Sequence, residues 1–372
     1  MEQVGLVIPK PKQHWEYLRI LKRFCGSRFG TRMKRDPIKF RTAFRKALAG
    51  WFANHGRDYP WRRTTDPYAI LVSEVMLQQT QIATVLGRGY YERFMVEFPD
   101  VGALAAAEDD RLLKVWEGLG YYRRARMLRD TARAVLERHG GVFPQDWEGL
   151  LALPGVGRYT AGAVRAFAFD LPGAVVDGNV ARALARLMDF REPVDDTAGK
   201  VRLAEWAERL EEPAAPRVHN SALMELGQTH CRPGQPDCVG CPVSGFCLAV
   251  DPASLPVKAK RVAVTEVDEH ALWCRDRRGR LLVACDGGGR RTGLWRLPVR
   301  EAADAADWPV VMERSYAITR YRVRLKVHAV AGTVKPIAGE AWKSMAELAA
   351  LPMSAPFRKV AEEMSAGNEN PV

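Results

Sequence analysis

Leu153-Pro154-Gly155-Val156-Gly157-Arg158-Tyr159-Thr160 lies between two segments whose apolar residues recur at three- and four-residue spacing. The proline sets a turn, and the two glycines permit a backbone approach that a Cβ would block. A helix opening near Thr160 presents N–H groups and the positive end of its dipole to an anion. Two helices joined this way can hold a backbone phosphate without reading a base. A plain packing turn would use the same residues, so the hairpin decides the fold only with its neighbours.

Downstream, twenty residues beyond Gly157, comes Val175-Val176-Asp177-Gly178-Asn179-Val180, followed by a helix with Val180, Leu184 and Leu187 on one stripe. Asp177 reads either as a helix N-cap or as a carboxylate set close to the gripped backbone. Upstream, Asp66-Pro67 is an N-cap and first-turn pair, predicting a helix through at least Val85. Its stretch Ile70 to Leu77 is apolar on nearly every face and therefore buried. Glu74 in its middle is costly to desolvate unless paired or used, and burial raises a carboxyl toward general-acid duty. Gln78, Gln79 and Gln81 form an amide cluster able to meet base edges. Tyr59-Pro60-Trp61-Arg62-Arg63 and Gly118-Leu119-Gly120-Tyr121-Tyr122-Arg123-Arg124 set flat rings beside guanidinium groups. Such rings can wedge between bases while the arginines meet phosphates, although core aromatics beside surface charge look the same.

Four of seven cysteines cluster as Cys231, Cys238, Cys241 and Cys247, a C-x6-C-x2-C-x5-C run. With Pro233, Gly234, Pro236, Gly240 and Pro242 supplying turns, four thiolates can wrap a tetrahedral zinc or a cubane iron–sulfur cluster. The odd cysteine total argues against a disulfide framework.

The whole chain has 372 residues, 56 Lys or Arg against 44 acids, net +12, and is 47% apolar, enough for a sizeable core. No segment approaches the ~18 apolar residues of a spanning helix, and no secretory signal opens the chain. Residues 1–40 carry ten basic and three acidic side chains, so +7 of the +12 lies there, most of it in a basic extension over 1–38. That extension reads as solvated and partly disordered, as sequence upstream of a true start at Met33, or as a phosphate-binding arm. Residues 39–250 read as a helical domain and 251–261 as a linker. Residues 262–365 read as a smaller α/β domain, with a period-2 strand over Tyr316–Val330 bearing one basic face, and 366–372 as a tail.

The hairpin, the aspartate and the cysteine run, in that order, resemble the endonuclease III superfamily of helix-hairpin-helix DNA glycosylases over roughly residues 40–250. The stretches 73–81 (SEVMLQQTQ), 59–62 (YPWR), 118–126 (GLGYYRRAR), 155–163 (GVGRYTAGA) and 176–184 (VDGNVARAL) resemble the MutY branch. The resemblance implies a mainly α helix-hairpin-helix glycosylase fold with an iron–sulfur loop, a [4Fe–4S] cluster on Cys231, Cys238, Cys241 and Cys247, and a following NUDIX-like domain. It implies that Glu74 protonates a flipped adenine at N7, Asp177 stabilises the oxocarbenium-like sugar, Tyr159 positions acid and sugar, and Asn179 hydrogen-bonds Asp177. Gly155 and Gly157 would grip the backbone, Gln79 and Tyr121 fill and wedge the duplex, Trp61 and Arg62 meet DNA, and Arg62 and Glu225 line the adenine pocket. Bifunctional members carry a lysine where Tyr159 stands, so base removal without an efficient lyase step is implied.

The C-terminal part resembles the lesion-recognising NUDIX-like domain through Gly293-Leu294-Trp295-Arg296-Leu297-Pro298. Arg300-Glu301 is followed by Asp304-Ala305 where paired glutamates would bind magnesium, which argues against nucleotide hydrolysis. Where many members carry Phe-Ser-His, this chain has Ile318-Thr319-Arg320; Thr319 keeps a hydroxyl and Arg320 replaces histidine as donor. The implied partner is duplex DNA with an A:8-oxoguanine or A:G mispair, met by a cytoplasmic monomer with no membrane role. The alternatives are an endonuclease III-like glycosylase for oxidised pyrimidines and a non-catalytic DNA-binding iron–sulfur protein.

Overall fold

The computed structural model describes residues 34–259, 263–332 and 334–366. The basic run 1–33 and the tail after Ala366 lie outside the described residues. Residues 34–38, assigned above to the extension, are part of the fold. Lys34 Nζ donates to the Ala249 carbonyl at 2.6 Å and the Arg35 N–H to that of Gly245 at 3.0 Å, while Ile38 is buried.

Twelve helices occupy the described N-terminal two thirds: α1 Arg41–His55, α2 Pro67–Leu77, α3 Ile82–Gly87, α4 Tyr90–Glu97, α5 Val101–Ala105, α6 Asp109–Val115, α7 Arg123–His139, α8 Trp147–Leu151, α9 Arg158–Phe169, α10 Gly178–Leu187, α11 Thr197–Leu210 and α12 Pro216–Thr229. Asp66, Asp100, Asp146, Asp177 and Asp196 each accept backbone N–H bonds at a helix start, the main local reason these helices begin where they do. Every residue of α2 from Tyr68 to Met76 is buried, as its all-round apolarity requires. The expected continuation to Val85 is corrected. Gln78 leaves the helical region, Gln79 has φ 61°, and α3 starts afresh at Ile82.

The C-terminal part has two sheets. One has four strands in the order β4 (Val299–Arg300), β1 (Thr265–Trp273), β6 (Tyr321–Ala329), β5 (Val310–Ile318); the other has three, β3 (Trp295–Arg296), β2 (Leu281–Cys285), β7 (Glu340–Lys343). Short helices α13 (Ala302–Ala305) and α14 (Met345–Ala350) precede α15 (Ala355–Ala366). The strand expected over Tyr316–Val330 is present as β6, but its start is the turn of a hairpin with β5. Ile318 pairs with Tyr321, leaving Thr319-Arg320 as a two-residue loop with Thr319 at φ 54°. The basic face of β6 is exposed, but its charges are paired. Arg322 meets Glu266 at 3.3 Å, Arg324 meets Asp268 at 3.8 Å and Lys326 meets Asp268 at 2.7 Å, all on the parallel neighbour β1.

The chain divides into two compact units, neither continuous in sequence. One comprises residues through Gly56, Val176–Glu211 and Ser221–Lys258; the other Arg57–Val175, Glu212–Asn220 and the chain from Ala259. The sheets thus belong with α2–α9, across the linear boundary at 251–261. Leu294 explains why, because it is buried in the same core cluster as Leu112, Leu113, Trp116 and Tyr122. Gly293, at φ 70°, admits this approach; a Cβ there would come within 2.7 Å of Arg126 and 3.3 Å of Leu113. Arg126 donates to the Thr292 carbonyl at 2.6 Å, and Arg358 pairs with Glu117 at 2.8 Å. The 251–261 segment is not wholly loose either, since Leu255 accepts from Arg186 Nε at 3.0 Å and Val257 from the Val194 N–H at 3.0 Å; Lys260 and Arg261 lie outside the described residues.

Candidate functional site

In the unit that bears α2 and α9, Glu74 is 4% exposed and sits among the apolar residues of α2. The Tyr159 hydroxyl donates to its Oε2 at 2.7 Å. Tyr159 lies in the first turn of α9, whose N-cap, Gly157, has no side-chain cap, so the hairpin sets both the open helix end and the phenol's reach to Glu74. Gly155 adopts φ 76°, a left-handed conformation, and a Cβ there would press on Met127 at 3.0 Å. Gly157 is extended with open space where a Cβ would stand, so nothing within the chain demands glycine at that position. The Thr131 hydroxyl anchors the turn by donating to the Pro154 carbonyl at 2.6 Å.

A cavity of about 780 Å³ in the same unit is bordered by Gln79, Tyr121 and Thr319, three residues expected near the partner base. Tyr121 is 50% exposed at φ 47°, suited to an outward wedge. Arg320 is not on the cavity wall. It stays in the loop beside Thr319, where its guanidinium lies 5.2 Å from the Tyr321 ring centroid and donates to that residue's hydroxyl. The expected place of Trp61 is corrected. At 8% exposure it stacks on Tyr59 and meets Tyr91 edge-on, a core position from which it cannot enter a base stack. Arg62 donates to the Arg57 carbonyl at 2.7 Å and covers the Tyr59 ring. The sequence reading missed Arg291 and Tyr316 on the cavity wall and their shared partner Glu269; the Tyr316 hydroxyl donates to Glu269 at 2.6 Å, and Arg291 pairs with Glu269 at 3.0 Å.

In the other unit Asp177 is both N-cap and candidate carboxylate. Oδ1 accepts from the N–H groups of Asn179 (2.9 Å) and Val180 (2.7 Å), and Oδ2 from Asn179 Nδ2 (2.9 Å). Burial lifts its pKa above the ordinary 3.8, against the pull of these donors and of Arg182. Arg182, unremarked in the sequence, donates to Asn179 Oδ1 at 2.8 Å, to the Gly227 carbonyl at 2.8 Å and to the Cys231 carbonyl at 2.7 Å. Gly227 makes this closeness possible, since a Cβ there would lie 2.7 Å from that of Asn179. Glu225, on the same α12, is fully buried. Arg182 and Arg186 lie one turn apart on the face of α10 opposite the Val180, Leu184 and Leu187 stripe, and both are buried.

Cys231, Cys238, Cys241 and Cys247 border one cavity of about 310 Å³. Four cysteine thiols on one cavity are a donor set that fits a thiolate-ligated centre. Burial pushes the Cys241 thiol up to about 12 and raises Cys238 and Cys247, a cost that a cationic centre would reverse by binding the thiolates. Arg186 Nη1 lies 3.5 Å from Cys231 Sγ, supplying positive charge beside a thiolate set.

Residues 72–207 match the family described as HhH-GPD superfamily base excision DNA repair protein. The adenine DNA glycosylase of Homo sapiens is 45% identical over 217 residues, covering 56% of this chain and 39% of that protein. That of Arabidopsis thaliana is 34% identical over 311 residues, covering 70% and 48%. The chain thus spans less than half the length of either relative. The solved structure of a thermostable thymine-DNA glycosylase aligns with a TM-score of 0.51 at 31% identity, covering 56% of this chain and 96% of its own. With its hairpin, its buried Glu74–Tyr159 pair and its four-cysteine loop, the chain belongs to the HhH-GPD superfamily of base excision DNA repair proteins, and within it is similar to the adenine DNA glycosylases.

Proposed function

We propose that the chain is a monofunctional DNA glycosylase that acts as a monomer on duplex DNA and removes adenine paired with 8-oxoguanine or guanine. The Tyr159–Glu74 bond carries the reading. It holds a carboxyl in an apolar interior next to a phosphate-gripping turn, and it puts a phenol where an imine-forming lysine would be needed for lyase chemistry. The adenine is flipped out, since its glycosidic bond is out of reach within the stack. Glu74 delivers a proton to N7. The C1′–N9 bond breaks with its electron pair moving to the base, and positive charge grows on the sugar. Asp177 stabilises that charge until water adds at C1′ and releases a proton, the division of labour between two carboxylates seen in retaining glycosidases. Asn179 holds Asp177 Oδ2, and Tyr159 orients the acid through Oε2. Glu225 and Arg62 are assigned to the adenine pocket.

Gln79, Tyr121 and the Thr319 hydroxyl, on one cavity, are assigned to the base opposite the adenine. A [4Fe–4S] cluster is assigned to Cys231, Cys238, Cys241 and Cys247; when bound it would cross-link the four thiolates and close their loop. A brown protein with iron and sulfide supports that assignment, and a colourless zinc protein overturns it.

The test is single-turnover base release from duplexes carrying A opposite 8-oxoguanine, guanine or cytosine, beside T:G and oxidised-pyrimidine duplexes. Adenine release, with strand breaks only after alkali, is expected. Release of thymine or of oxidised pyrimidines with adenine untouched would sink the reading.

A further inference from the structure

We infer that Arg124 is a positioning residue that locks Gln79 and Tyr121 into one rigid head for the base opposite the excised adenine. The inference deepens the reading above and rests on it. Gln79 (φ 61°) and Tyr121 (φ 47°) are non-glycine residues in the left-handed region, where surrounding structure must hold them. They belong to separate loops, one after α2 and one before α7, yet both border the 780 Å³ cavity.

Arg124, 9% exposed in the first turn of α7, joins the two loops. Nη1 donates to the carbonyls of Val75 (2.7 Å), Met76 (3.0 Å) and Gln78 (2.6 Å). Nη2 donates to the Leu119 (3.2 Å) and Gly120 (3.3 Å) carbonyls and reaches Thr80 Oγ1 at 3.4 Å. The last carbonyls of α2 need partners, and this one fork supplies them while gripping the neighbouring loop. The guanidinium also lies 5.4 Å from the Trp116 ring centroid and 5.6 Å from that of Tyr121, so the wedge ring rests on the clamp. All of these acceptors are neutral oxygens. Burial lowers the guanidinium to about 10, which leaves it charged at neutral pH. Placing a cation here costs desolvation that an apolar side chain would avoid, and the geometry it imposes on Gln79 and Tyr121 is what it supplies in return. Lysine keeps the charge but has no planar fork to span both loops.

The experiment compares single-turnover adenine release opposite 8-oxoguanine and opposite cytosine. Arg124→Lys should lower the ratio of the two rates by about 10- to 100-fold, the scale of misplacing contact groups by about 1 Å. In a Gln79→Ala, Tyr121→Ala background the same substitution should change the ratio by less than about twofold, because the groups it positions are already gone. An unchanged ratio in Arg124→Lys, or an undiminished effect in that background, overturns the inference. A purely structural role would lower the melting temperature equally in both backgrounds and leave the ratio intact. Native-state hydrogen exchange on the unmodified protein decides the matter if the variant does not fold or if wild type releases no adenine. The Thr80 and Arg124 amides, bonded to Leu77 and Tyr121 carbonyls, should share one opening free energy once each rate is divided by its intrinsic rate. Different opening free energies would mean the two loops are not locked together, whatever the base specificity.

Discussion

Glu74 and Asp177 are both acids withdrawn from water, yet their surroundings differ in kind. Glu74 is the one acid within a run of nine buried residues and receives the Tyr159 hydroxyl. Asp177 stands at a helix start, receives two backbone N–H groups and one amide, and has Arg182 behind that amide. Apolar walls favour a neutral carboxyl that gives up a proton, whereas helix-end donors favour an anion that faces a growing positive charge. The difference teaches that role is set by what donates to each oxygen more than by depth alone, since burial also raises Asp177.

The largest effect expected is from Glu74→Gln, which should reduce adenine release by about 10²–10⁴-fold while DNA binding, read by gel shift, persists. Unchanged release would dissolve the contrast, because Glu74 would then be a buried structural acid. Asp177→Asn should cost about 10²–10³-fold in the same assay, since the anion is lost although asparagine can still cap the helix.

Asp177→Asn also sharpens the comparison through stability. A carboxyl whose folded value is raised above 3.8 binds more protons folded than unfolded, so its contribution to stability falls as pH climbs from 3.8 through the folded value. Asparagine removes that fall, and melting of the free protein at neutral pH should rise by about 2–4 °C for each kcal/mol recovered. A lower melting temperature would mean that the capping donors outweigh desolvation. Tyr159→Phe deletes one hydrogen bond to a carboxyl, worth about 1.5–3 kcal/mol, and should slow release by roughly 10- to 100-fold without creating strand cleavage. Asn179→Ala, which removes one neutral donor among several on Asp177, should have the smallest effect, about 1 kcal/mol or roughly fivefold. If it matched Asp177→Asn, the Asn179–Arg182 pair and not the helix end would be holding the anion.

The parts legible in the sequence were those written in adjacent residues. The turn at Gly155-Val156-Gly157, the Asp66-Pro67 start of α2, the all-round burial of α2 and the cysteine spacing each follow from local chemistry. The end of α2 was not legible, because Arg124, far along the chain, takes its last carbonyls. The β5–β6 turn was missed because Thr319-Arg320 lacks the Asn-Gly or Gly that announces a left-handed loop. Trp61, packed on Tyr59 and Tyr91, and the basic side chains of β6, paired with acids of β1, show that a ring or a charge in sequence does not name its partner.

By itself, then, the sequence determined the helical framework, the hairpin, the two carboxylates and the thiol set, since these depend on side chains within a few residues of one another. Only tertiary structure decided that Tyr159 reaches Glu74, that Leu294 carries the sheets onto the helical core, that Arg182 ties Asn179 to the cysteine loop, and that Arg124 joins the Gln79 and Tyr121 loops. Each of these joins residues from separate segments, and which buried donor meets which distant acceptor is set by packing, not by spacing along the chain.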